Sequence, residues 1–198
     1  DGLLDIAALF AQGNERIAAF YNQGNGRFKS ETLLQFSPSN GSSYFSFTDL
    51  NGDEHDDILY CAGDNADFGP VIKPYHGVYG FVNNGQNSFK KSFFLPQNGA
   101  YGAICEDFDL DGDLDIASIS FFPDWVNRPE ESFIYHQNQG NGTYTQHSFS
   151  EHLNGRWIVM DMADTDEDGD LDLVLGSLAF EAIPDLGQIQ RWVEKGWP

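Results

Sequence analysis

The chain has 198 residues, enough to bury a core as one domain or as part of a larger one. With 40% hydrophobic and 15% aromatic residues it is not a disordered chain, and no apolar run approaches the ~20 residues of a membrane-spanning helix. A formal net charge of -21, with no basic stripe, argues against nucleic acid as a partner.

From the N-terminus, DGLLDI leads into an apolar stretch, and RIAAFYN (16–22) alternates as a β-strand. The segment 22-NQGNGRF-28 follows, where Asn-Gly and Gly-Asn-Gly supply the positive φ angles of a tight hairpin. A strand over 27–36 leaves that turn. SYFSF (43–47) then runs into the acidic stretch 49-DLNGDEHDDI-58, with the strand DILYCA (57–62) on its far side. A variable segment, 63–79, precedes a second Asn-Gly turn, 83-NNGQNSF-89. The order then repeats: YGAIC (101–105), 107-DFDLDGDLDI-116, a strand over 115–122, a variable segment at 121–132, a strand over 132–138, 138-NQGNGTY-144 and a strand over 143–149. It begins again with RWIVM (156–160), 164-DTDEDGDLDL-173 and DLVLGSLA (172–179), followed by a variable segment at 177–188. The sequence 194-EKG-196 reads as one more, degenerate Asn-x-Gly turn. No segment carries a helical period with caps.

Two landmarks therefore recur together, and the acidic ones start 58 and 57 residues apart. The opening DGLLDI matches the second half of the acidic landmark, with Asp1 at its fifth position and Asp5 at its ninth. The chain thus opens inside one acidic loop and stops inside one hairpin turn, as a fragment of a longer array would. Four antiparallel strands per unit of about 57 residues predict an all-β fold, a β-propeller of four-stranded blades with the acidic loop between the first two strands of each. A sandwich does not repeat one loop chemistry at a fixed period, and solenoid coils are shorter. The units fall at 1–42, 43–100, 101–156 and 157–198, about three and a half blades of a single incomplete propeller.

The acidic loops hold 16 of the 31 acidic residues. Like charges so close repel by roughly a kcal/mol or more per pair unless a cation sits among them. Numbered from Asp107, carboxylates or amides occupy positions 1, 3, 5 and 9, and position 7 can offer its backbone carbonyl. That spacing wraps oxygen donors around one Ca²⁺, which takes roughly six to eight of them. The expected ligands are Asp49, Asn51, Asp53 and Asp57; Asp107, Asp109, Asp111 and Asp115; and Asp164, Asp166, Asp168 and Asp172. His55, Asp113 and Asp170 would contribute carbonyls, and Asp1 with Asp5 would form a partial fourth site. Gly112 and Gly169 fill position 6, where the first full loop has Glu54, its glycine being Gly52 at position 4, so this loop is expected to turn differently or bind more weakly. An EF-hand would need a Glu at position 12 and a helix after it; here position 12 is Tyr60, Ser118 and Leu175, in strand-like sequence. Mg²⁺ suits the loops less well, because it keeps its waters. Cys61 and Cys105 allow one disulfide or two buried thiols.

The paired landmarks, D-x-[DN]-x-D-G-x-x-D-[IL] and N-x-G-x-G-x-[FY], resemble the VCBS and FG-GAP repeats, the blades of integrin-α-like β-propellers. Residues 114–135 and 155–176 are most similar to the bacterial, secreted type of VCBS repeat. The resemblance spans nearly the whole chain and implies calcium loops, a location outside the cytosol (secreted, cell-surface or periplasmic) and a binding or adhesion role toward glycan or protein ligands. The face for such ligands would be built from the three variable segments, where Phe68, Tyr75, His76, Phe122, Trp125 and Arg128 stand out. A structural scaffold beside the remaining blades or neighbouring domains is the alternative, with a propeller-based hydrolase or lyase as a third. Neither G-x-S-x-G nor H-E-x-x-H occurs, and no catalytic residue is assigned.

Overall fold

The computed structural model describes residues 2–65, 71–178 and 188–195. Its strands form four antiparallel meanders. The first joins β1 (Ile6–Phe10), β2 (Arg16–Asn22) and β3 (Phe28–Gln35). The second is β4 (Ser42–Thr48), β5 (Asp57–Ala62), β6 (Gly77–Asn83) and β7 (Phe89–Pro96). The third is β8 (Ala100–Glu106), β9 (Asp115–Ser120), β10 (Phe133–Asn138) and β11 (Tyr144–His147), and the fourth pairs β12 (Trp157–Ala163) with β13 (Asp172–Ser177). These are the blades of a propeller fragment. By register with the acidic loops, β1, β5, β9 and β13 are second strands, preceded in three blades by β4, β8 and β12.

The second strands β5 and β9 are buried on both faces, which explains why they read as apolar runs rather than alternating ones. Ile58, Tyr60 and Ala62 of β5 pack with Ile17 of the first sheet, while Leu59 and Cys61 point the other way, toward Ala100, Ala103 and Ile116 of the third. Ala117 and Ile119 of β9 turn toward Trp157 of the fourth. Each sheet-to-sheet core is thus built by period-2 alternation of one central strand. The first and second strands of three blades carry an irregularity at the same place, between Ser42 and Tyr44, Ala100 and Gly102, and Trp157 and Val159.

A buried carboxylate pins the first blade to the second. Glu15, in the β1–β2 turn and 1% exposed, accepts hydrogen bonds from the backbone of Gly41 (3.2 Å) and Ser42 (3.1 Å) and from the Ser42 hydroxyl (2.6 Å). The Ser42 hydroxyl also meets the Tyr60 phenol at 2.6 Å. Burial pushes that phenol, and the free thiols of Cys61 and Cys105, well above their ordinary pKa, so both thiols stay protonated at neutral pH.

One expectation is corrected. Glu194 and Lys195, expected to open a degenerate hairpin turn, belong to a helix, α1 (Gln188–Lys195). The Gln190 amide donates to Glu194 Oε1 at 2.8 Å, one turn on. Among the described residues no helix is long and apolar enough to cross a membrane.

Candidate metal-binding loops

The three full acidic loops share one hydrogen-bonded frame. The carboxylate at position 1 accepts the N–H of position 5 on one oxygen and that of position 6 on the other. Asp49 takes Asp53 (3.2 Å) and Glu54 (2.8 Å), Asp107 takes Asp111 (3.1 Å) and Gly112 (3.0 Å), and Asp164 takes Asp168 (3.2 Å) and Gly169 (3.1 Å). The position-5 carboxylate in turn accepts the N–H of His55, Asp113 or Asp170. These Asx-type contacts curl the chain around its own carboxylates.

The backbone is left-handed at the same two positions in every loop: Gly52, Leu110 and Glu167 at position 4, then Glu54, Gly112 and Gly169 at position 6. Glu54 at φ 66° therefore follows the same turn as its counterparts, contrary to the expectation from the misplaced glycine. Glycine relieves one left-handed position per loop, and a residue with a Cβ carries the other.

The carboxylate oxygens of Asp107, Asp109 and Asp111 lie within 4.8 Å of one another, as do those of Asp164, Asp166 and Asp172. Asp49, Asp53 and Asp57 do not gather in this way. The Asn51 amide donates to Asp53 Oδ2 (3.1 Å), and Asp57 is engaged elsewhere. Crowding shows in the third loop: the Asp170 carboxyl is raised above its usual pKa by its hydrogen bond to Asp168 and by the charges of Asp168, Asp172 and Asp166. Asp49 is held below the usual range chiefly by the Glu54 N–H, and Asp172 by the Thr165 hydroxyl and N–H. Hard oxygen donors, converging and repelling one another, fit a hard divalent cation of the calcium type and offer nothing to a soft one.

Position 9 has a second role that loop spacing does not reveal. Asp5, Asp57 and Asp115 each accept on Oδ1 the backbone N–H of Asn22, Asn83 and Asn138, every time at 2.7 Å. The three Asn amides reach back to the carbonyls of Leu4, Asp56 and Leu114, every time at 3.1 Å. Their Oδ1 atoms accept the N–H of Gly24 (2.9 Å), Gly85 (3.1 Å) and Gly140 (3.1 Å). The acidic landmark and the Asn-x-Gly landmark are thus two halves of one clamp. Asp57 and Asp115 are fully buried in it, with their remaining oxygens held by the Leu50 N–H (3.0 Å) and the Tyr135 hydroxyl (2.5 Å). The Asn-x-Gly glycine also admits the position-7 side chain: a Cβ on Gly85 would fall 2.6 Å from His55 Nε2, and one on Gly140 2.7 Å from Asp113 Oδ2. The intervening loops differ in length, so the signal for the clamp is that each position-9 Asp is followed by one Asn-x-Gly, not any fixed spacing.

Of the residues expected on the far face, His76, Phe122 and Trp125 are buried and Tyr75 is half-buried. Arg128 pairs with Glu131 at 2.9 Å, and Glu131 also takes the Asn98 amide at 2.8 Å. Asp1, Phe68 and most of the segment 177–188 lie outside the described residues.

A family model described as an FG-GAP-like repeat matches residues 1–60 and 107–175, more than half of the chain and all three acidic loops. Among curated proteins none matches. With a shared loop frame, a repeated Asp–Asn clamp and four meandering sheets all following that repeat, the chain belongs to the FG-GAP-like repeat family.

Proposed function

We propose that the chain is a calcium-stabilised β-propeller module that works outside the cytosol, secreted, at a cell surface or in a periplasm, and binds glycan or protein ligands through the loops opposite its acidic ones. The observation that carries the calcium reading is the convergence of three carboxylates, from equivalent loops, in two separate blades. Asp107, Asp109, Asp111 and Asp115 would hold one ion, and Asp164, Asp166, Asp168 and Asp172 another, with carbonyls from Asp113 and Asp170. Asp49, Asn51, Asp53, Asp57 and the His55 carbonyl would form a weaker third site, and Asp5 belongs to a fourth.

Bound calcium would neutralise the crowded carboxylates and tie the first and second strands of each blade together. Its binding energy then becomes folding energy, about 1.4 kcal/mol per site at tenfold excess over Kd. Extracellular calcium modules have Kd values of about 10⁻⁴–10⁻³ M, which suits a calcium-rich compartment. The burial of His76, Phe122 and Trp125 favours a second reading, a scaffold whose far-face loops support neighbouring parts of a larger assembly.

Thermal unfolding in excess EDTA, in millimolar Ca²⁺ and in millimolar Mg²⁺ tests the metal reading. The expected result is a rise in Tm of several degrees with Ca²⁺ and little with Mg²⁺. Equal Tm values in all three would refute it. Glycan and protein arrays probed with the calcium-loaded chain separate the binding module from the scaffold, which would capture nothing.

A further inference from the structure

Seven Asn-Gly pairs occur in the chain, at Asn25, Asn40, Asn51, Asn84, Asn98, Asn141 and Asn154. In such a pair the glycine amide nitrogen can attack the asparagine side-chain carbonyl, because no Cβ on the following residue blocks the approach. A free side chain, a free glycine N–H and exposure to water are all needed. The fold withholds at least one of these from six of the seven.

At three pairs the glycine N–H is already donated: Gly41 to Glu15 Oε1, Gly52 to Asp49 Oδ1 and Gly85 to Asn83 Oδ1. In two of these the asparagine is fixed as well, Asn51 by Asp53 and Asn84 by the N–H groups of Gln86 and Ser88. Asn98 donates its amide to Glu131, and Gly99 lies against the Phe122 backbone. Asn141 has its oxygen held by the N–H and hydroxyl of Thr143. Asn154 is exposed, but Gly155 is buried under the Trp157 ring.

Asn25 remains. It sits at the tip of the β2–β3 hairpin with φ 54°, and both it and Gly26 are exposed. Among the described residues neither the Asn25 side chain nor the Gly26 N–H has a hydrogen-bond partner. A Cβ added to Gly26 would meet nothing within 4 Å, so the turn has room to change shape.

We infer that Asn25 is a site of spontaneous modification, at which this one asparagine of the folded chain converts to aspartate and isoaspartate. Base removes the Gly26 amide proton, and the nitrogen attacks Asn25 Cγ. The new C–N bond closes a five-membered succinimide as the Cγ–Nδ2 bond breaks and ammonia leaves. Water then adds to one of the two imide carbonyls. Opening on one side leaves an ordinary aspartate at this position; opening on the other moves the backbone through the former side chain and gives isoaspartate. No redox partner is required. The product adds a negative charge and, in the isoaspartyl form, an extra backbone methylene at a tip where no clamp residue is displaced, so the blade keeps its Asp5–Asn22 pin.

The test is incubation of the full chain at 37 °C in neutral and mildly alkaline buffer, with timed peptide mapping by mass spectrometry and isoaspartyl methylation as a second readout. The peptide holding Asn25 is expected to gain the mass of an amide-to-acid exchange several-fold faster than those holding the other six asparagines, with a rate that climbs with pH. In Asn25→Gln the early isoaspartyl signal should vanish. A urea-unfolded sample should lose this selectivity and react at all seven. Equal rates across the folded chain, or earlier reaction at any of the other six, would overturn the assignment.

Discussion

Each acidic loop takes a left-handed backbone at two positions, while glycine occupies one of them. A residue with a Cβ there is strained by about 1–2 kcal/mol, and adding a glycine loosens the unfolded chain by about 0.4–1 kcal/mol, so the strain outweighs the entropy. Glu54→Gly and Leu110→Gly are therefore expected to stabilise the fold by about 0.5–1 kcal/mol each in urea unfolding. Leu110 is 75% exposed, so removing its side chain loses little burial. Loss of stability in both variants would show that the side chains do something the backbone argument omits. The position-9 and position-5 aspartates should separate in chelator. Asp57→Ala leaves the N–H groups of Asn83 and Leu50 without their acceptor and should cost about 3 kcal/mol even without calcium. Asp111→Ala should lower Tm in calcium and have little effect in chelator. Equal costs of the two variants in chelator would contradict the added clamp role of position 9.

At the scale of elements, the strands were legible because both of their signals are local. Alternation and buried runs predicted, as named segments, ten of the thirteen strands among the described residues, and the Asn-Gly turns placed the hairpins between them. The loop frame was half legible: the ligand types stood at fixed positions, whereas the clamp partners lie 17, 26 and 23 residues downstream across loops of unequal length. Helix α1 escaped because its eight residues make barely two turns, too few for a period to outweigh the repeat pattern. Glu15 escaped for another reason. In sequence it is one more acid in a polar turn, and only the fold places the backbone of Gly41 and Ser42, 26 and 27 residues on, around its carboxylate. Glu15→Ala would leave two backbone donors unsatisfied between the first two blades and should cost about 2–4 kcal/mol in urea unfolding, with Glu15→Gln recovering part of the loss. A cost below about 0.5 kcal/mol would mean that the blades are held by apolar packing alone.

For the molecule as a whole, acid should act first through two buried imidazoles, before the bulk of the carboxylates titrate. His136 on β10 is fully buried, its Nε2 lies 3.1 Å from the Ser118 hydroxyl, and burial pushes its pKa down to about 4. His76 is lowered to about 4 by burial and then by the charge of Lys73. Both rings are neutral in the fold, and unfolding frees them to take up protons near pH 6.5. Between about pH 6.5 and 4 the unfolded chain binds more protons than the folded one, so stability falls as pH falls and levels off below about 4 with respect to these groups. A fully buried ring could contribute as much as about 3 kcal/mol over that window. Urea unfolding in chelator at fixed ionic strength, from about pH 7 to about pH 4, isolates this effect from calcium binding. His136→Leu removes one of the two groups while leaving the Ser118 hydroxyl its bond to the Ile134 carbonyl, and should reduce the pH slope by roughly half. An unchanged slope would assign the acid sensitivity to carboxylates held in their charged form, such as Asp49 and Asp172, and the same titration repeated in calcium would then be steeper, because protons and calcium compete for the loops.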